Sequence, residues 1–170
     1  MTPHIHTGHV SDALAHVFAE LADGTGASGG GFVLNTGDAG LLRSLDKLPA
    51  AEASRSANGG ATIAAHAQHL RYGLSLMNRW ATEGGNPFAD AKWDEAWALS
   101  SVDDEKWREI RGGLHEEAAR WTSALAAPRE VSGDELAGLV ASVAHVAYHL
   151  GAIRQIHKET RGPTEGTFSA

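Results

Sequence analysis

Four long segments with apolar residues at helical spacing constrain the fold of this 170-residue chain more than any other feature. They cover residues 11–23 and 62–83, a stretch from 101 to just before Pro128, and residues 132–158. Apolar residues that recur every three to four positions indicate amphipathic helices, each burying one stripe. The sequence therefore predicts an all-α fold, a four-helix bundle with a long crossover connection between helices 1 and 2.

The ends of the predicted helices carry recognisable signals. Gly24 follows the first helix and the pair at 84–85 follows the second, where a glycine often stops a helix. Ser101 with Asp104, and Ser132 with Glu135, have the spacing of a capping box at the start of the third and fourth helices.

Two long connections separate these helices. The first, residues 24–61, is rich in Gly, Ser and Ala and contains one predicted short helix, GLLRSLDKL. The second, NPFADAKWDEAW, contains Trp93 and Trp97, which either cap a cavity or pin the loop to the helices. We expect one domain over residues 1–170, with a flexible tail from about residue 159 to 170.

Composition narrows the classes of partner. The chain has 14 Lys and Arg against 21 Asp and Glu, a formal charge of −7, which disfavours nucleic acid and anionic membrane surfaces. It has no cysteine, so a metal site must use His and carboxylates. The N-terminus lacks the pattern of a signal peptide, and no membrane span is expected. These features predict a cytoplasmic protein, and an exposed helix face is compatible with a homodimer.

The fourth helical segment carries two histidines in an apolar run, SVAHVAYHLGAIRQI. At about 100° per residue, His145 and His149 fall roughly 80–120° to one side of the apolar stripe. Their neighbours on that side are small, namely Gly138, Ser142 and Ala152. Small residues around paired imidazoles leave room for an ion and a ligand.

The second helix offers matching imidazoles. His69 lies about 100° from the stripe through Leu70, the same offset as the pair on helix 4, with Gly73 beside it. His66 lies closer to the stripe. Two His at i and i+4, with a third ligand from a facing helix, form a three-His site that keeps an open coordination position. We expect His69, His145 and His149 as ligands, with His66 as an alternative or additional one.

TIAAHAQHLRYGL on helix 2 and VAHVAYHLGAIRQI on helix 4 resemble the DinB/YfiT-like superfamily of metal-binding four-helix bundles. The likeness extends to both long connections. It implies that His69, from the His-Leu element, and the pair His145 and His149, from the HxxYHxG element, bind a divalent metal. Some members of that superfamily are metal-dependent transferases or isomerases that use a low-molecular-weight thiol, which implies the same chemistry here.

Three functions stay open at this stage. The first is a metal-dependent enzyme of transferase or hydrolase type that activates water or a thiol for a small-molecule substrate. The second is a non-catalytic metal-stabilised protein, in which His66 would be the fourth ligand of a closed four-His site. The third is an interaction module with histidines as core polar residues. Zinc and nickel are the first candidates for the metal, with iron and copper also suited to imidazole ligands. No Asp or Glu falls on the histidine side of either helix, and Glu116 and Glu117 are the nearest candidates for a general base.

Overall fold

The computed structural model describes residues 5–27 and 30–163, apart from the side chain of His9. This part of the chain is mostly helical, which confirms the all-α class. Its helices are α1 Ser11–Asp23, α2 Gly40–Asp46, α3 Ala50–Ala53, α4 Ile63–Glu83, α5 Trp93–Trp97, α6 Asp104–Ala126 and α7 Gly133–Ile156.

The four long predicted helices correspond to α1, α4, α6 and α7. Gly24 and Gly84 end α1 and α4 as predicted, and Ser132 and Glu135 form the predicted capping box of α7. The predicted start of α6 is wrong. Its first turn is capped by Asp103, whose carboxylate accepts the Lys106 N–H at 2.8 Å, and Ser101 is exposed two residues earlier. Aspartate is as good an N-cap as serine, so the Ser101 pattern was not decisive.

The long helices pack in a ring in which α1 contacts α6 and α7, and α4 contacts the same two from the other side. Their facing stripes form the hydrophobic core, which includes the fully buried Phe18, Leu70, Trp121 and Ile153. The indole N–H of Trp121 donates to Ser142 Oγ at 2.9 Å, so its one polar atom is satisfied inside the core. The arrangement places α4 beside α7, the two helices that carry the paired histidines.

The crossover from α1 to α4 holds α2 and α3 and is anchored by two buried carboxylates. Glu20 accepts the backbone N–H groups of Phe32, Val33 and Leu34 at 2.6–2.8 Å. Burial alone would raise the pKa of Glu20, but these three donors outweigh it and the pKa ends below its usual value.

The second anchor is Asp38, which pairs with Arg154 of α7 at 2.7 and 2.9 Å. Both side chains are buried. These anchors hold the long connection against the helices rather than leaving it loose.

Two features at the chain ends were not predicted. Ile5–His6 pairs antiparallel with Glu130–Val131, a ladder too short to show alternation in the sequence. Near the C-terminus, Lys158–Thr160 forms a 3-10 turn in which Thr160 is buried. Of the predicted tail, residues 164–170 lie outside the described range.

Within the described residues, one helix, Gly133–Ile156, is long and apolar enough to cross a membrane, with a mean hydropathy of 1.6 over its best window. This is weak evidence for a span, because a core helix of a soluble protein passes the same test. The helix also turns His149 and Arg154 towards the interior.

Candidate metal centre

The structure brings together the three imidazoles expected to bind metal. His69 comes from α4, and His145 and His149 come from successive turns of α7. One nitrogen from each lies within 4.8 Å of the other two, and the group could hold a metal ion. His69 and His149 are buried and His145 is half-buried. His145 and His149 were predicted to lie to one side of the apolar stripe of α7. That side of the helix faces α4.

The nitrogens converge in a way that suits a cation better than a shared proton. His145 Nε2 lies 3.1 Å from His69 Nε2 and 2.8 Å from His149 Nε2. Each ring nitrogen has either one N–H or one lone pair, so His145 Nε2 can hydrogen-bond well to only one of its neighbours. Two nitrogens bound tetrahedrally at zinc are separated by about 3.3 Å, which is a few tenths of an ångström more than each of these two distances. A small outward movement of the rings would accommodate an ion.

Burial keeps these imidazoles neutral. Desolvation, with His145 and His66 as further contributors, lowers the pKa of His69 to about 4. Desolvation, with the neighbouring His145, His66 and His69, lowers the pKa of His149 to about 3. Burial also lowers the pKa of His145 and His66. A neutral imidazole presents the lone pair that a metal requires, so near neutral pH protons compete weakly for this group.

His66 does not join the three converging nitrogens. Its Nδ1 lies 2.8 Å from Nδ1 of His149, on the opposite side of that ring from the nitrogen that meets His145. If His149 gives the lone pair of Nε2 to a metal, its Nδ1 carries the proton and donates it to His66. Such an outer partner fixes the tautomer and orientation of a metal-binding histidine.

His69 is oriented by packing instead. Its Nδ1 is buried and has no hydrogen-bond partner among the described residues. Trp97 of α5 stacks on the ring at a centroid distance of 4.2 Å and an angle of 24°, and Trp93 lies 5.3 Å away. The short helix α5, which was not predicted, therefore lies over the histidine group. Trp93 and Trp97 therefore do both things considered from the sequence: they pack the second connection against the helices, and they cover the histidine group.

A cavity of about 540 Å³ adjoins His145. It is lined mainly by apolar residues of α4, α7 and the second connection. Gly73 and Trp93 mark where it meets the histidines: a Cβ added to Gly73 would lie 3.8 Å from both His145 Cε1 and the Trp93 ring. Gly73 was expected to leave room beside His69, and in the structure it leaves room beside His145.

A carboxylate base is not apparent beside the group. Within the described part of the chain, the hydrogen bonds of the four imidazoles connect them to one another. Glu117, one of the two candidates, accepts from Asn78 at 2.8 Å and pairs with Arg120, on the side of α4 that faces α6. Glu116 is exposed on α6. Neither residue lines the cavity beside His145.

No protein-family model, curated protein or solved structure matches the chain.

Proposed function

We propose that this protein binds a divalent metal through Nε2 of His69, His145 and His149, in a DinB/YfiT-like four-helix bundle formed by α1, α4, α6 and α7. The convergence of three neutral imidazole nitrogens on one point supports this assignment most directly. Zinc and nickel are the preferred ions, with iron and copper as further candidates. We propose a cytoplasmic protein that pairs as a homodimer, for which the exposed apolar Val140 on α7 offers a contact.

The site favours a coordination position open to a small molecule. A structural zinc ion is normally closed by four protein ligands. His66 is the nearest fourth imidazole, and it is directed to the far nitrogen of His149. The cavity lined by His145 offers space for a ligand beside this group. These features favour an enzyme over a closed structural site.

The reaction we propose is a metal-dependent transfer or hydrolysis. A bound divalent ion would supply Lewis acidity, lowering the pKa of water or of a low-molecular-weight thiol held beside it. The chain's own contribution is to keep three imidazoles neutral, to orient His149 through His66 and to cover His69 with Trp93 and Trp97. Among the described residues, no carboxylate hydrogen-bonds to these imidazoles, which supports the alternative, a non-catalytic metal-stabilised protein of the same fold.

Metal content tests the proposal directly. Protein prepared without a polyhistidine tag should contain close to one equivalent of metal per chain, measured by elemental analysis after dialysis. Replacing His69, His145 and His149 together by Ala should abolish that content. A matched variant in which His16 and His115, which lie away from the site, are replaced by Ala should retain it. Metal content unchanged by the triple substitution would refute the site.

The coordination number distinguishes the two functions. X-ray absorption at the metal edge should show three imidazoles and at least one exchangeable oxygen ligand. A shell of four imidazoles would refute the enzyme and leave the metal-stabilised protein.

A further inference from the structure

We infer that the small molecule at this site is an elongated, mainly apolar compound with a neutral or cationic far end, and that anionic thiols and other carboxylate ligands are selected against. The inference rests on the proposed metal site and adds the chemical class of its ligand. It arises from the shape and charge of the space that leads away from His145.

The cavity beside His145 has no formal charge on its lining. Its walls include Leu74, Met77, Phe88 and Trp93, and none of the described residues around it is Asp, Glu, Lys or Arg. A carboxylate entering this space would lose hydration without gaining a cationic or N–H-rich partner. An apolar chain gains about 25 cal/mol for each Å² it removes from water.

The space continues along α7 beyond this cavity. A second cavity, of about 350 Å³, shares Met77, Phe88 and Gly138 with the first, so the two cavities adjoin at these residues. Its far end is lined by Asp134 and Glu135 in the first turn of α7. At 1.5 Å per residue, His145 and Asp134 are separated by about 16 Å along the helix axis. A ligand that occupies both cavities is therefore an extended chain rather than a compact molecule.

Acidic side chains at the far end of the second cavity select for the charge of the ligand's far end. Asp134 is exposed and Glu135 is half-buried, where its carboxylate also accepts the Ser132 N–H of the capping box. Carboxylates at this position repel an anionic group and attract a cationic one. The ligand that fits has a metal-binding head, an apolar middle and an end such as an amine or a hydroxyl.

Three thiols of equal chain length test this selection on cobalt-loaded protein. Mercaptoundecanoate, mercaptoundecanol and aminoundecanethiol differ only in the far end. Each binds as the thiolate, with its proton released to the buffer, and the cobalt–sulfur absorption band reports binding. Below their micelle-forming concentrations, we expect the amine and the alcohol to bind at least tenfold more tightly than the carboxylate. Equal affinities, or tightest binding of the carboxylate, would overturn the inference.

Gly138→Leu tests the path itself. A Cβ at Gly138 meets no atom within 4 Å, so leucine can enter the junction of the two cavities without a backbone clash. The position lies two helical turns from His145, and metal content should stay at the parental level. The three long thiols should each bind at least tenfold more weakly, whereas mercaptoethanol, which is too short to reach the junction, should bind as before.

Gly112→Leu is the matched control. This glycine is also helical, and a Cβ there also meets nothing within 4 Å, but it is exposed on α6 and lines neither cavity. Parental binding of the long thiols by the Gly138 variant would overturn the path. Failure of the parent protein to take up cobalt would instead refute the metal site, and elemental analysis identifies that outcome separately.

Discussion

The Nδ1 atoms of His66 and His149 lie 2.8 Å apart. His149, the most deeply buried imidazole of the candidate site, therefore contacts a second imidazole through the nitrogen that faces away from His145. The contact joins α4 to α7 one turn from the point where His69 meets His145. We therefore expect His66 to influence a bound metal through His149 rather than by binding it directly.

Replacing His66 by Ala should weaken metal binding without abolishing it. Loss of the acceptor for the His149 Nδ1 proton frees that ring to rotate, and such outer-shell changes typically reduce metal affinity roughly 10- to 100-fold. Competition against a chelator of known affinity measures the change. His16→Ala, at an exposed position of α1, is the control. An unchanged affinity in the His66 variant would show that the contact does not position the ligand.

The metal-free protein should lose stability as the pH falls below about 6.5. His69 and His149 have folded-state pKa values of about 4 and 3, whereas in the unfolded chain they regain a pKa near 6.5. Between these limits the unfolded state binds more protons than the folded state, so the free energy of unfolding falls with falling pH. Urea unfolding between pH 7.5 and 5 measures this slope. His149→Gln should flatten it, and equal slopes in the two proteins would contradict the assignment.

The sequence predicted those parts of the fold that have long-range periodicity. The positions of α1, α4 and α7 agree with the predicted segments to within two residues, because each carries an apolar stripe over three or more turns. The five-residue α5 is shorter than two turns, so it has no period to detect. Its place over His69 is set by tertiary packing of Trp97 and could not be read from the chain.

The same limit applies to the histidines. Angular offsets on single helices placed His69, His145 and His149 on comparable sides of their stripes. Which nitrogens meet depends on how far α4 is shifted along α7, and periodicity contains no information on that shift. The contact between His66 and His149 and the two cavities that adjoin at Gly138 both follow from it. The sequence alone therefore does not distinguish the three histidines whose nitrogens are grouped from His66, whose Nδ1 contacts His149.

Breaking the ion pair between Asp38 and Arg154 should destabilise the fold more than any surface substitution. The two side chains are 2% and 8% exposed, and removing one partner leaves the other charge buried. Asp38→Asn or Arg154→Met should each lower the free energy of unfolding by about 3–5 kcal/mol. The double variant should be less destabilised than the sum of the single ones. Additive effects in this double-mutant cycle would show that the pair does not anchor the crossover.

Trp97 should report metal binding by fluorescence. Its ring stacks on His69 at 4.2 Å, so a Ni²⁺ or Cu²⁺ ion at the imidazole nitrogens lies close enough to quench its emission. Titration of the parent protein should quench part of the total emission of its 5 tryptophans. Trp97→Phe keeps an aromatic ring on His69 and should remove the largest share of the quenching. Trp80→Phe is the control, because Trp80 packs near Trp121 and Arg129. Equal quenching in the Trp97 variant and the parent would place the bound ion away from His69.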